Sequence, residues 1–301
     1  FVFEKKTIHG AYFALTAYLF WGFMPIYFKA VGHVSPLEIL VQRILWSVVL
    51  LFGILVYTKQ LGKLEISRKK LGLLFLSALL LTCNWLIFIY AIVNDNIVET
   101  SLGYFINPLL SVLLGMVFLR ERLRLLQWIA LATAFSGIMF QLVYYGAIPW
   151  IALSLAFSFG FYGLIRKKLS LHSIAGLALE TLMVAPLAMM ALAWIYLQGE
   201  LKFGSIDLKT DLLLISAGFV TSFPLLCFAA GISRLSLTAS AMFQYLAPSV
   251  SLLIAVMMYG GPFGTDRVIT FSCIWVALVV FTIEAILHHR RIQRQRAFPA
   301  I

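Results

Sequence analysis

Charged residues are scarce in this sequence. Asp, Glu, Lys and Arg make up 12% of its 301 residues and hydrophobic residues 62%, against about 25% charged and 45 to 50% apolar in a soluble domain. The long, unbroken apolar runs also exclude an outer-membrane barrel, whose strands alternate between apolar and polar residues. The composition therefore predicts an all-α integral membrane protein.

Residues that bind metals or phosphate are equally few. The three cysteines, Cys83, Cys227 and Cys273, fall inside apolar runs without CxxC spacing, so we expect buried thiols. The five histidines lie at the ends of apolar runs and not at ligand spacing, which predicts no metal site. No glycine-rich phosphate loop with its lysine is present. We expect no cofactor and no ATP-driven step.

Ten apolar runs are long enough to cross the ~30 Å hydrocarbon core, at about 20 residues a span. They lie at about 10–31, 37–58, 70–93, 97–119, 125–143, 147–166, 172–198, 211–232, 238–259 and 267–287. The first has no small-residue cleavage site after a short apolar region, so it is interpreted as a retained span and not as a signal peptide.

The distribution of Lys and Arg predicts the topology. An even number of spans places both termini on one side, and 18 of the 23 basic residues fall in the tails and loops of that side. Cytoplasmic loops carry such an excess, so both termini are predicted in the cytoplasm, with the loop near 199–210 on the opposite side of the membrane. The net charge of +11 is then a topological signal and does not indicate nucleic-acid binding.

An internal repeat appears when the chain is shifted by 140 residues, which places Pro108 on Pro248. Two polar stripes at i, i+4, i+7 and i+11 also coincide, as one face of a helix would. They are Thr100, Tyr104, Asn107 and Ser111, and Ser240, Gln244, Ala247 and Ser251. With five helices in each half, the halves must have opposite topology, as in alternating-access transporters. We predict two five-helix repeats, 1–145 and 146–301, the second with a basic cytoplasmic tail, around a central cavity.

Several stretches, in their order and spacing, carry a resemblance to a known family. They are AYLFWGFMPIYFK around Trp21, EILVQRILWS from Glu38, the stretch from Asn84 to Leu123, FYGLIRKK from Phe161, LETL from Leu179 and FQYLAPS from Phe243. The chain resembles the RarD branch of the EamA, or drug/metabolite transporter, superfamily. The resemblance implies two bundles of five helices around a cavity and export of small metabolites or drugs. It also implies a bacterial inner-membrane protein, so that the loop near 199–210 lies in the periplasm. The superfamily often has a glutamate after the fourth helix of each half; Glu121 occupies the first position and Gly261 the second.

Ionisable side chains within the spans are the first candidates for function, because each costs at least about 2.5 to 3.5 kcal/mol on insertion scales. Arg43 and Glu180 lie far from the span ends. Arg43 is interpreted as an anion-attracting residue and Glu180 as a proton-carrying or gating carboxylate. The alternative is that each is neutralised by a protein neighbour and fixes helix packing. Lys29, Glu38 and Glu99 lie near the outer surface, where snorkelling is expected.

The polar stripes and nearby aromatic residues complete the candidate set. The stripes are expected to face a shared cavity, with hydrogen bonds between helices as the alternative. Aromatic rings could stack on an aromatic or cationic substrate. The candidate substrate-binding or gating residues are Trp21, Arg43, Asn84, Trp85, Tyr90, Tyr104, Asn107, Glu180, Gln244 and Tyr245.

These observations predict a secondary transporter of a small molecule in the lipid bilayer, with a proton as candidate coupling ion and no enzymatic activity. Two alternatives stay open. A passive facilitator or channel would show flux that does not saturate. An intramembrane enzyme would need paired catalytic groups, for which Arg43 and Glu180 are the strongest candidates.

Overall fold

The computed structural model describes residues 2–64, 67–93, 97–260 and 264–297; side chains at 2–5, 63–64, 69, 89, 92–93, 97–99 and 289–297 are not among those described. This part of the chain is helical, without strands. The α-helices are α1 (Val2–Gly22), α2 (Met24–Ala30), α3 (Pro36–Tyr57), α4 (Arg68–Val93), α5 (Ile97–Leu119), α6 (Leu125–Tyr145), α7 (Trp150–Leu169), α8 (Ser173–Leu197), α9 (Leu208–Ile232), α10 (Leu237–Gln244), α11 (Leu246–Tyr259) and α12 (Thr265–Ala297), with a 3₁₀ turn at Leu61–Leu64.

The helices match the predicted spans. Within the described ranges, nine segments are long and apolar enough to cross a membrane, α1 with α2 and α10 with α11 each counting as one. The remaining predicted span, the sixth along the chain, corresponds to α7. The last turn of this helix carries Arg166, Lys167 and Lys168, which lower its mean hydropathy. The first and last helices extend beyond the apolar runs: α1 begins at residue 2 and α12 ends at residue 297. Lys, Glu, Arg and Gln, which predominate there, are good helix formers outside the bilayer too.

Two of the spans are interrupted near a proline. The first breaks at Phe23, before Pro25, and the ninth breaks at Tyr245, before Pro248. A proline removes the hydrogen bond to the carbonyl four residues earlier, which is where these breaks occur. Helices α5, α8 and α9 instead run through Pro108, Pro186 and Pro224.

The packing of the helices repeats when each span of one half is exchanged for its counterpart. Helix α1 packs on α9 as α4 packs on α7, and α5 packs on α7 as α1 packs on α11. Three pairs map onto themselves: α3 with α8, α5 with α10 and α6 with α12. Two five-helix repeats would give this exchange pattern, and their bounds, 1–145 and 146–301, stay a prediction. The two halves thereby interleave, and α3, α4, α7 and α8 meet in the interior.

A buried carboxylate fixes the loop between α8 and α9. Glu38 of α3 is fully buried, and its carboxylate accepts the backbone N–H of Lys202 at 3.0 Å and that of Phe203 at 2.8 Å. The expected snorkelling of Glu38 is therefore wrong, because loop amides replace water around it. Glu99 lies outside the described side chains.

Asp207 caps the N-terminus of α9. Hydrogen bonds from Thr210 hold the pKa of its carboxyl below the usual range.

One expectation for the cysteines is also wrong. Cys227 is buried and Cys273 half-buried, but Cys83 is exposed on the outer face of α4. An apolar run in a membrane protein has a lipid-facing side as well as a buried one, so apolar neighbours in the sequence do not by themselves indicate burial.

Candidate functional site

A buried ion pair lies where α4, α7 and α8 meet. The carboxylate of Glu180 on α8 accepts a hydrogen bond of 2.5 Å from the Ser77 hydroxyl on α4. Its Oε1 atom is also 3.5 Å from Nη1 of Arg166 on α7. The side chains of Arg166 and Glu180 are 2% and 1% exposed, so both charges are removed from solvent. The alternative in which a protein neighbour neutralises Glu180 is therefore present, and the neighbour is Arg166.

Sequence spacing on two helices explains how this pair forms. Ser158, Tyr162 and Arg166 follow one another at intervals of four on α7 and are all buried, so one face of this helix is polar. On α8, Gly176 precedes Glu180 by one turn, and a Cβ at Gly176 would overlap the Arg166 guanidinium. The glycine gives the arginine its space. Tyr162 is fully buried and interacts with both charges.

Glu180 borders a small pocket between α3, α4 and α8. The other residues that line it are Ile44, Ala78, Leu81, Thr82, Trp85, Thr181 and Val184. Its cavity volume is about 10 Å³, which is room for about one water molecule, whereas pockets that hold drug-sized molecules have roughly 300 to 1,000 Å³. A substrate of that size would enter only if the surrounding helices moved apart.

Arg43 on α3 forms a second focus of charge, separate from the Glu180 pair. Its Nε donates to the Thr221 hydroxyl of α9 at 2.8 Å. The guanidinium lies over the ring of Trp85 at 5.1 Å and over that of Phe28 at 5.7 Å. Through the ring of Phe88, which is 6.1 Å from that of Phe28 and 6.5 Å from that of Tyr104, this group of aromatic residues extends to α5. Trp85 thus joins the two foci, because it contacts Arg43 and lines the pocket beside Glu180.

Three more of the predicted residues, Asn84, Trp21 and Tyr90, differ in how far they are buried. Asn84 donates to the Leu155 carbonyl at 2.9 Å and to the Ser158 hydroxyl at 3.0 Å, which ties α4 to α7. Trp21 is half-buried against an aromatic core, with its ring 5.9 Å from that of Phe159. Tyr90 is 58% exposed near the end of α4. Of these three, Asn84 and Trp21 pack within the bundle.

The two polar stripes meet each other. Gln244 donates to the Ser111 hydroxyl at 3.3 Å where α10 packs on α5, and Ser251 donates to the Gly22 carbonyl at 3.0 Å. Asn107, Ser240 and Tyr245 are buried, yet Asn107 Oδ1, Ser240 Oγ and the Tyr245 hydroxyl accept or donate no hydrogen bond among the described residues. One hydrogen bond thus joins the stripes, and the shared cavity that they are expected to face stays a prediction. Tyr104, in contrast, is 51% exposed.

Known proteins resemble this chain over nearly all of its length. The profile of the EamA-like transporter family matches residues 8–143. An uncharacterized transporter of Vibrio cholerae is 45% identical over 97% of this chain and 98% of its own. Protein RarD of Escherichia coli K12 is 43% identical over 95% of this chain and 98% of its own. This chain belongs to the EamA-like transporter family, in its RarD branch.

The fold of this EamA-family protein is also found in a solved crystal structure. That structure has a TM-score of 0.71 and 18% sequence identity, and the match covers 93% of this chain and 98% of the other. The likeness concerns the fold alone.

The family's glutamate after the fourth span has a clear structural role. Glu121 accepts the backbone N–H of Leu237 at 2.6 Å and that of Thr238 at 2.9 Å, so it caps the first turn of α10 in the other half. Lys167 donates to the carbonyl of Ile232 at 3.1 Å and to that of Leu235, at the end of α9. The loop between α9 and α10 is thus held from both sides. Gly261, at the position equivalent to Glu121, lies outside the described residues.

Sequence reasoning missed Arg166, Ser77 and Thr221 as partners of the candidate charges. Arg166 stands beside Lys167 and Lys168 and was counted with the cytoplasmic loop charges. The signal that could have found it is the stripe Ser158, Tyr162 and Arg166 at i, i+4 and i+8, which Lys167 and Lys168 do not share.

Proposed function

We propose that this EamA-family protein is a secondary transporter that exports small metabolites or drugs across the bacterial inner membrane by alternating access. Transport involves no covalent chemistry in this proposal, and both termini lie in the cytoplasm. The two repeats, 1–145 and 146–301, rock against each other around the pocket beside Glu180. The names of the relatives support transport as the activity, and the small volume of the pocket supports a cycle in which the helices must separate.

The Arg166–Glu180 pair is the observation that supports proton coupling most directly. A carboxylate can bind and release a proton, and its loss of charge removes the attraction that holds Arg166 across the interface between α7 and α8. Because α7 and α8 also pack on α5, α4 and α3, breaking this pair frees contacts that join the two halves. One protonation could thus change which arrangement of the halves is favoured.

Transport in reconstituted vesicles tests this proposal. Uptake of a radiolabelled panel of metabolites and chloramphenicol is measured with and without an imposed pH gradient. The panel includes chloramphenicol because a relative, 28% identical, is named chloramphenicol-sensitive protein RarD of Pseudomonas aeruginosa. We expect saturable transport that the gradient drives, abolished by Glu180→Gln and retained by Glu200→Gln, which alters an exposed carboxylate.

Two results would contradict the proposal. Flux that rises linearly with substrate concentration and ignores the gradient would make the protein a passive channel. Full transport with unchanged pH dependence in Glu180→Gln would remove this carboxylate from the mechanism.

A further inference from the structure

Unlike the buried Arg166, Arg43 has no carboxylate partner among the residues that the structure describes. Within the described ranges, the ion pairs join Arg166 to Glu180 and Arg124 to Glu284, and Arg43 takes part in neither. Thr221 accepts a hydrogen bond from Nε only, and a guanidinium has four further N–H groups. A cation at this depth in a membrane is costly when it is unpaired. This arrangement indicates that the partner of Arg43 is a ligand that binds and dissociates.

Side chains of three other helices contact Arg43 and leave part of it exposed. Phe28 of α2, Trp85 of α4 and Thr221 of α9 contact it. The ring of Phe88 lies 6.1 Å from that of Phe28 and 6.5 Å from that of Tyr104 on α5. Arg43 is only half-buried and Tyr104 is 51% exposed, so their exposed sides leave an opening that a ligand can reach.

The chemistry of this opening selects a ligand. The planar fork of a guanidinium matches a carboxylate, with which it forms paired, charge-assisted hydrogen bonds. Trp85 and Phe28 offer apolar and aromatic surface next to it, and Ile44 and Leu81 continue that surface into the adjoining pocket. A cationic ligand is disfavoured, because Arg43 already occupies the aromatic faces that would attract it.

We propose that Arg43, Trp85, Phe28 and Tyr104 form the substrate site, and that its ligand is a small organic carboxylate with an aromatic or apolar body. This inference rests on the proposed function, since it names the class of molecule carried. It also separates two tasks: Arg43 binds the substrate, and the Arg166–Glu180 pair couples transport to the proton.

Equilibrium binding to the purified full-length protein in detergent tests the site without requiring transport. The probes are benzoate and indole-3-acetate, each compared at equal ionic strength with its neutral amide, together with benzylammonium. We expect saturable binding of the two carboxylates and affinities at least about tenfold weaker for the amides and the amine, since hydrogen bonds to a charged group are worth about 1.5 to 3 kcal/mol.

Variants assign the binding to Arg43. Arg43→Gln should weaken carboxylate binding at least about tenfold, and Arg43→Lys, which keeps the charge without the planar fork, should weaken it less. The matched control is Lys29→Gln. Lys29 also lies over an aromatic ring, that of Tyr259 at 3.6 Å, but it is on the exposed end of α2. The control should bind as the wild type does.

Three outcomes would overturn the proposal: no carboxylate binding by the wild type, amides that bind as tightly as carboxylates, or unchanged affinity in Arg43→Gln. If Arg43→Gln does not fold, unchanged affinity in Arg43→Lys overturns it. The experiments distinguish a failure of the proposed transport function from a failure of the proposed substrate site. Binding without saturable transport in vesicles would refute the transport function alone, and gradient-driven transport that is indifferent to Arg43 would refute this site alone.

Discussion

Three charged residues within the helix bundle, Glu180, Glu38 and Arg43, are stabilised in three different ways. Glu180 has an arginine and a hydroxyl, Glu38 has backbone amides, and Arg43 has aromatic rings and one threonine. Removing one partner of a buried pair leaves the other uncompensated, which costs far more than removing both. The three residues should therefore respond differently to neutral substitutions.

Glu180→Gln should destabilise the protein by about 3 to 5 kcal/mol, because it leaves Arg166 buried without a counter-charge. The double variant Arg166→Gln with Glu180→Gln should recover much of that loss. Chemical or thermal unfolding in detergent measures both. A single variant as stable as the wild type would show that the pair is not an ion pair in the folded protein.

Glu38→Gln should also destabilise the protein, by about 1.5 to 3 kcal/mol. The amide of glutamine has one oxygen in place of two, whereas the carboxylate accepts N–H groups of both Lys202 and Phe203. Glu200→Gln changes an exposed carboxylate in the same loop and should leave the melting temperature unchanged. Equal effects of the two variants would contradict the capping role.

That Arg43 and Glu180 lie within the spans could be predicted from the sequence, but the groups that they contact could not. Arg43 and Glu180 stand out because apolar residues surround them. Their partners depend on which faces of different helices meet, and Arg166 reaches Glu180 only because Gly176 leaves room for it. A face of one helix is visible in a sequence; the contact between two faces is not.

At the scale of elements, the junction between α9 and α10 is held by side chains from both halves. Glu121 caps the first turn of α10, where the helix dipole favours negative charge, and Lys167 reaches the last carbonyls of α9. A family position known from its sequence pattern thus has a physical reason: it fixes the start of a helix in the other repeat.

Glu121→Gln should loosen this junction. We expect amide hydrogen exchange at residues 233–238 to become at least about tenfold faster, since a charge-assisted cap worth about 1.5 to 3 kcal/mol is lost. The control Arg122→Gln alters the exposed neighbouring residue and should leave exchange there unchanged. Unchanged exchange in Glu121→Gln would show that the loop is held by other contacts.

The contact between α1 and α11 depends on the absence of a side chain. A Cβ at Gly22 would lie 2.5 Å from the Cβ of Val250, so Gly22→Ala must push the two helices apart, at about 1 to 3 kcal/mol. Gly53 on α3 has nothing within 4 Å of an added Cβ. Gly53→Ala should leave stability unchanged or raise it by up to about 1 kcal/mol. Unfolding of both variants provides the comparison, and equal stabilities would contradict the close packing.

The number of spans and their order could be predicted because the hydropathy of a segment determines directly whether it is stable in the bilayer. The breaks could not be placed, since Pro25 and Pro248 interrupt their helices whereas Pro108, Pro186 and Pro224 do not. A missing hydrogen bond bends a helix only as far as its neighbours allow, and that is decided by packing.

At the scale of the whole molecule, the topology stays a prediction from charge. A phosphatase fused after the C-terminus should be inactive, and one inserted at Glu200 should be active, because only the periplasm supports that enzyme's disulfides. Activity of the C-terminal fusion would overturn the orientation. The exchange symmetry of the packing does not depend on this result.

That symmetry is incomplete, and in the proposed alternating-access cycle the departure would make the two end states unequal in free energy. Helices α1 and α11 belong to broken spans, whereas their counterparts α7 and α5 are continuous. Perfectly equivalent halves would make the inward-open and outward-open forms equal in free energy, so each would be occupied half of the time. Unequal halves give the resting molecule a preferred side. Apparent affinity on each membrane face scales with the fraction of molecules open there, so a substrate would bind with unequal strength from the two compartments, while the gradients alone would determine the direction of net flow.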